Sequence, residues 1–126
     1  MKRRLRLRGR RDFQALVSGR RVFAGAGLIG FARPGATDGT RVGIAVSRRV
    51  KGSVARNRAR RRLREAARLG FLPGLSDWAE ARPGITLDVV LIARPAALDL
   101  PFESLLSEAS EFARRLAAAG LVGPHR

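Results

Sequence analysis

RVGIAVSRRVKGSVARNRARRRLREA, residues 41–66, is the stretch that decides the fold. Its first seven residues alternate: Val42, Ile44 and Val46 point one way, Gly43, Ala45 and Ser47 the other. That predicts a strand over 41–47 with one core face and one face of small side chains, open to close approach. A helix is predicted over 53–69, with Ser53 as its N-cap. At about 100° per residue, Ala55, Ala59, Leu63 and Ala66 form one stripe. Asn57, Arg60, Arg61, Arg64 and Arg68 lie opposite, and Arg56 and Arg58 flank the stripe.

Working outward, residues 10–18 predict a short helix, with Phe13, Leu16 and Val17 on one face and Gly19 as its stop. Residues 20–33 read as strand, firmest at Leu28–Phe31. Ala24-Gly25-Ala26-Gly27 marks a bulge or a break between two strands. PGATDG at 34–39 is a turn. Beyond the basic helix, residues 70–85 are rich in Gly and Pro and read as an extended connection, with at most one helical turn at 75–82. Trp78 is expected there as a local hydrophobic plug. The apolar run at 86–93 is a strand buried on both faces. Asp99 is expected to cap a last helix whose face is Phe102, Leu105, Leu106, Ala109, Phe112, Ala113 and Leu116, ended by Gly120. All 126 residues are expected to form one domain, with a basic arm at 1–9 and a disordered tail at 121–126. The order α-β-β-β-α-β-α describes an α+β or α/β layer fold, with helices over a small sheet.

The charge points to a polyanion. There are 26 Lys and Arg against 10 Asp and Glu, a net of +16. Residues 1–64 carry +18 of this and residues 65–126 carry −2. From Arg41 to Arg64 ten basic residues occur with no acidic one. A merely solvated helix face alternates sign to gain i,i+4 pairs, and this one does not. Guanidinium is planar, always charged and able to bond two phosphate oxygens. With no Cys and a single His at position 125, thiol, zinc-cysteine and Ser-His-Asp chemistries lack their central groups. Only Asp12 and Asp38 bring carboxylates to the basic half, too few for a two-metal nuclease there. The longest uncharged apolar stretch, 22–32, is too short to span a bilayer. A strand precedes the basic helix, which excludes helix-turn-helix binding, and Gly70 and Pro73 exclude a zipper after it.

Residues 41–66 resemble the signature region of the bacterial ribonuclease P protein component. RVGIAVS, the basic pair after it, VARNR and RRRLREA match in order and type, and Arg56-Asn57-Arg58 stands as the family's RNR motif. RRDFQALVSG at 10–19 resembles its first helix, and DVVLIARPAA at 88–97 its last strand. The resemblance implies a two-layer α-β sandwich like the second domain of ribosomal protein S5 (ribosomal protein S5 domain 2-like), with a small mixed sheet of about four strands and three helices. It also implies an unusual left-handed βαβ crossover, against the general rule for such units.

In function, the resemblance implies the non-catalytic protein subunit of an endoribonuclease. The RNA subunit, with magnesium bound mainly by RNA, cleaves the 5′ leader from precursor tRNA. The protein binds that RNA and the leader. Carried over position by position, the RNA subunit would meet Arg56, Asn57, Arg58, Arg60, Arg61, Arg62, Arg64 and Arg68. The leader would lie on Phe13, Val17, Phe31, Arg41, Gly43, Ala45, Ser47, Arg48 and Arg49, with bases stacked on the aromatic rings. Val17 departs from the second aromatic that the family often carries on its first helix. No protein-bound metal, no membrane and no obligate protein partner is expected, and the setting is cytoplasmic. A general RNA-binding or ribosomal-type module without leader recognition is the alternative. An autonomous metal-dependent nuclease leaning on Asp12 and Asp38, with acids from the C-terminal half, is a third reading.

Overall fold

The structure, a computed structural model, describes residues 20–35 and 39–119. The first helix with Phe13 and Val17, the basic arm, part of the 34–39 turn, Gly120 and the tail lie outside the described residues. Strands β1 (Arg20–Ala24), β2 (Leu28–Pro34) and β3 (Arg41–Val46) are followed by helix α1 (Ser53–Ala66). A π turn at Ala67–Phe71 joins α1 to α2 (Leu72–Ala81). Strand β4 (Leu87–Ala93), a 3-10 turn at Pro95–Leu98 and α3 (Phe102–Ala118) complete the described chain. The sheet order is β1-β2-β4-β3, antiparallel except for the parallel β3–β4 pair. This is the mixed four-stranded α+β sheet expected, with its apolar last strand at the centre.

The alternation read in β3 holds. Val42 and Val46 are buried with Leu28, Ala32, Val89 and Leu91 in the core, and Ile44 packs against them. Ala45 instead packs with Phe31 and Ile92 around Val90 on the opposite face. The helices lie on the first face, where Ala59, Leu63 and Ala66 fill α1's narrow stripe. From α3, Phe112 stacks on Phe71 with ring centroids 4.7 Å apart. It lies so close over the sheet that a Cβ on Gly30 would fall 2.4 Å from its ring. Burying such a ring contributes about 1.5–3 kcal/mol.

The hand of the β3–α1–β4 crossover follows from chain chirality. Ala93 turns its side chain into the helix-side core, and its carbonyl accepts from the Ser47 N–H at 2.8 Å. For an L residue seen from its side-chain face with the strand running upward, the carbonyl points right. From the helix side, β3 therefore lies to the right of β4, and the chain crosses over the near face to its left. The crossover is left-handed, the rare hand for a parallel pair.

Three expectations about helix boundaries are corrected. Ser53 is not a cap: Gly52, at φ 90°, holds that position, and no side chain caps the helix. Asp99 does not cap α3: Pro101 holds the N-cap position, no side chain caps that helix, and Asp99 closes the 3-10 turn before it. Residues 70–85 are not an extended connection. The helix continues through the π turn to Ala81, and only 82–86 connect to β4. Pro73 has no N–H and would crowd the Leu69 carbonyl in a regular α-helix. The wider π turn just before it relieves that conflict and keeps the helix running. Gly70 belongs to the same device, since a Cβ there would meet the Leu106 carbonyl oxygen at 2.9 Å. Trp78 is buried in the core as a plug, with Arg82 stacked 4.9 Å over its ring.

Candidate nucleic-acid interface

The sheet face turned away from the helices is a ladder of cross-strand rungs. Phe31, Val90 and Gly43 form one, and Ile29, Ile92 and Ala45 the next. A third rung, Arg33–Asp88–Arg41, lies at the other side of Phe31. Gly43 and Ala45 thus keep β3 low on this face, and Phe31 stands across β4 from it. Ser47 follows β3 directly, and its Oγ accepts from the Arg49 N–H at 3.2 Å. Arg48 and Arg49 follow as exposed residues. Five of the expected leader residues thereby share one face or its edge: Phe31, Arg41, Gly43, Ala45 and Ser47.

Arg41 is not a bare cation on that face. Its Nε and Nη2 donate to both oxygens of Asp88 at 3.0 and 2.9 Å, and Arg33 Nη2 donates to Oδ2 at 3.2 Å. Asp88 is fully buried. Burial pushes its carboxyl up, but the hydrogen bonds and charge of Arg41, then of Arg33, outweigh that and hold it below its ordinary 3.8. Sequence reading missed Asp88. The available signal was a carboxylate at the start of an otherwise apolar strand.

The arginines of α1 divide into two sets. Arg56 reaches back to the loop after β3, where Nη1 donates to the Ser47 and Val50 carbonyls at 2.9 and 3.1 Å, and Nη2 to Val46 at 3.3 Å. On the other flank, Arg62 Nε donates to the Ala97 carbonyl at 2.8 Å and Nη2 to that of Leu100. Arg58 donates to Leu98 at 3.4 Å. These three hold neighbouring loops against the helix. Asn57, Arg61, Arg64 and Arg68 are exposed on the far side, with Arg60 half-buried. Arg60 donates to the Asn57 side-chain oxygen at 2.9 Å, and Arg68 pairs with Glu65. That pairing lowers the Glu65 pKa and raises that of Arg68.

A second carboxylate missed from sequence is Glu108. From α3 it accepts from the N–H groups of Ala26, Gly27 and Leu28 at 3.0–3.3 Å and so fixes the β1–β2 turn. A Cβ on Gly25 would fall 2.4 Å from its Oε1, which accounts for the glycine-rich break. Among the described residues, no three His, Cys, Asp or Glu side chains converge on a point that a metal ion could occupy. Of the two carboxylates the fold builds around, Asp88 is engaged by guanidinia and Glu108 by backbone amides. No helix among the described residues is long and apolar enough to cross a membrane. What the arrangement offers is outward guanidinia on α1 that can bond phosphate and, on the sheet face away from that helix, a shallow apolar surface.

Comparison with known proteins bears on the family and the fold. The family model for ribonuclease P matches residues 1–117. The ribonuclease P protein component of Symbiobacterium thermophilum is 41% identical over 123 residues, covering 97% of this chain and 96% of that one. That of Ruegeria pomeroyi is 43% identical over 115 residues, covering 89% and 86%. Among solved structures, the RNase P protein from Thermotoga maritima superposes with a TM-score of 0.62 at 23% identity, over 87% of this chain and 96% of that one. The Staphylococcus aureus RNase P protein gives 0.59 at 20% identity, over 93% and 96%; both likenesses are of fold.

Proposed function

The chain belongs to the ribonuclease P protein family, and from that premise we propose that it supplies binding surfaces while its RNA partner supplies the chemistry. As a ribonuclease P protein component it is a subunit of the tRNA-processing holoenzyme, partnered with ribonuclease P RNA. The finer reading is that Asn57, Arg60, Arg61, Arg64 and Arg68 meet that RNA, while Arg56, Arg58 and Arg62 shape the surface behind them. The 5′ leader of precursor tRNA lies as a single strand along Phe31, Gly43 and Ala45, bounded by Arg41, Ser47, Arg48 and Arg49. Phe13 and Val17 join this set on the strength of the family resemblance. Magnesium serves the reaction from RNA ligands, and the product is the mature tRNA 5′ end. The setting is the cytoplasm.

The observation that carries this reading is the outward guanidinium face of α1, which has no acidic residue before Glu65. Phosphates in RNA are the partner that such a face fits best. The test is reconstitution. Purified protein alone leaves precursor tRNA uncut, and adding the RNA subunit with magnesium restores cleavage, with tighter binding of leader-bearing than leaderless tRNA. Cleavage that survives removal of RNA and disappears on mutating protein carboxylates contradicts the division of labour. Equal affinity for the two tRNAs points to a general RNA-binding module instead.

A further inference from the structure

We propose that a hollow at the start of α1 receives a single unpaired nucleotide of ribonuclease P RNA, its base lying against Val54. This inference rests on the reading that the outward row of α1 meets that RNA. Among the described residues, Val54 and Leu69 are the exposed large apolar side chains, and Val54 is the more open at 82%. Val54, Asn57, Arg61 and Arg64 recur at spacings of three, four and three, so Val54 heads a row whose other members are polar or cationic. A β-branched side chain lowers helix propensity, and one so exposed adds little to the core. Phosphate binding does not account for it either, because valine carries no donor. Val54 forms one wall of a hollow of about 660 Å³ between the first turn of α1 and the 3-10 turn at Pro95–Leu98. That volume lies in the range of small-ligand sites, roughly 300–1,000 Å³. Ala55 and Leu98 line the hollow and pack against the core beneath it. Arg58 ties its two walls by donating to the Leu98 carbonyl, and Arg62 holds the same turn through Ala97 and Leu100. Lys51 and Asp99 add one charge of each sign to the lining. These charges sort the parts of a nucleotide. Lys51 attracts phosphate, whereas Asp99 repels it and accepts from the N–H groups that base edges present. The base therefore enters, and its phosphate stays beside Lys51. Bases stacked in a duplex cannot enter this way, so the RNA segment met here is a loop, bulge or junction.

The test uses the full-length protein and ribonuclease P RNA. Val54→Ser changes an exposed position and removes no charge, so the protein should melt like the wild type. Its affinity for the RNA should fall about tenfold with the salt slope unchanged, whereas Val54→Leu should keep wild-type affinity. Chemical probing of base edges with dimethyl sulfate and kethoxal should find one unpaired base that the wild-type protein shields. That base should become reactive when Val54→Ser saturates the RNA. Asp99→Ala makes the protein one charge more positive and is nevertheless expected to bind more weakly. Tighter binding by Asp99→Ala puts phosphate in the hollow and overturns the inference. Wild-type affinity and an unchanged probing pattern in Val54→Ser overturn it too. The RNA surface of α1 then still stands if Arg61→Ala/Arg64→Ala binds more weakly with a shallower salt slope. If that double variant binds like the wild type, both readings fall together. A dimer of the free protein in sedimentation velocity that Val54→Ser abolishes assigns the hollow to a second copy, and overturns the RNA occupant.

Discussion

Arg56 and Arg61 sit five residues apart on one helix and do opposite work. Arg56 bonds three backbone carbonyls of its own chain, and Arg61 points into solvent. The difference is angular. Arg56, Arg58 and Arg62 flank the stripe of Ala59, Leu63 and Ala66, so their long side chains reach loops at either edge of the helix. Asn57, Arg61 and Arg64 lie exposed on the far side, with Asn57 accepting from Arg60. A charge count treats all of these arginines alike, whereas the fold uses half of them to set its own loops. The basic pair Arg48–Arg49 depends on this, because its loop is clamped by Arg56.

Breaking the buried charge contacts, at Asp88 or in the inward set, carries the largest effects. Asp88→Ala leaves two guanidinia facing a buried gap and should cost about 3–5 kcal/mol in a urea melt. Arg56→Ala strips a charged donor from three carbonyls and should cost about 2 kcal/mol, with little rescue by Lys, whose ammonium cannot fork. Arg61→Ala, by contrast, should change stability by less than about 0.5 kcal/mol in the same experiment. If the two variants melt alike, the distinction between the sets is lost.

Acid sharpens the comparison from another side. Asp88 titrates lower when folded than when unfolded, so its stabilisation is whole at neutral pH. That stabilisation drains as pH falls below 3.8 toward the folded value. Urea melts from about pH 2 to pH 6 should show a stability loss at the acid end that Asp88→Asn flattens. A wild-type curve with the same acid slope as the variant places the titrating group elsewhere. The smallest effect is expected from Glu65→Gln, which removes an exposed, solvent-screened partner of Arg68 and should leave the urea melt close to that of the wild type.

Much of this was legible in the sequence because it is periodic. Alternation over 41–47 gave both faces of β3, and the apolar stripe of α1 gave its core face. The arginine division was present in the same wheel, since Arg56 and Arg58 were placed at the flanks, but their partners lie on loops that periodicity does not locate. The π turn was hidden because Gly70 and Pro73 normally end helices; here packing on α3 carries the helix through them. Asp88 and Glu108 were missed for a shared reason. Each is a single carboxylate whose partners are distant in sequence, 47 to 82 residues away. Only the sheet register and the approach of α3 bring those partners together.

The central claim is that outward guanidinia bind ribonuclease P RNA and inward ones build the surface. The most direct measurement is the affinity of the protein for that RNA across a salt series. With about five phosphates neutralised, the wild-type slope of log affinity against log salt should be roughly −3.5 to −4.5. In Arg61→Ala/Arg64→Ala the account expects a slope shallower by about 1.4–1.8 with an unchanged melt, and in Arg62→Ala a lower melt with the wild-type slope. A slope that shallows as much for Arg62→Ala as for each outward arginine, or that does not respond to Arg61 and Arg64, contradicts it.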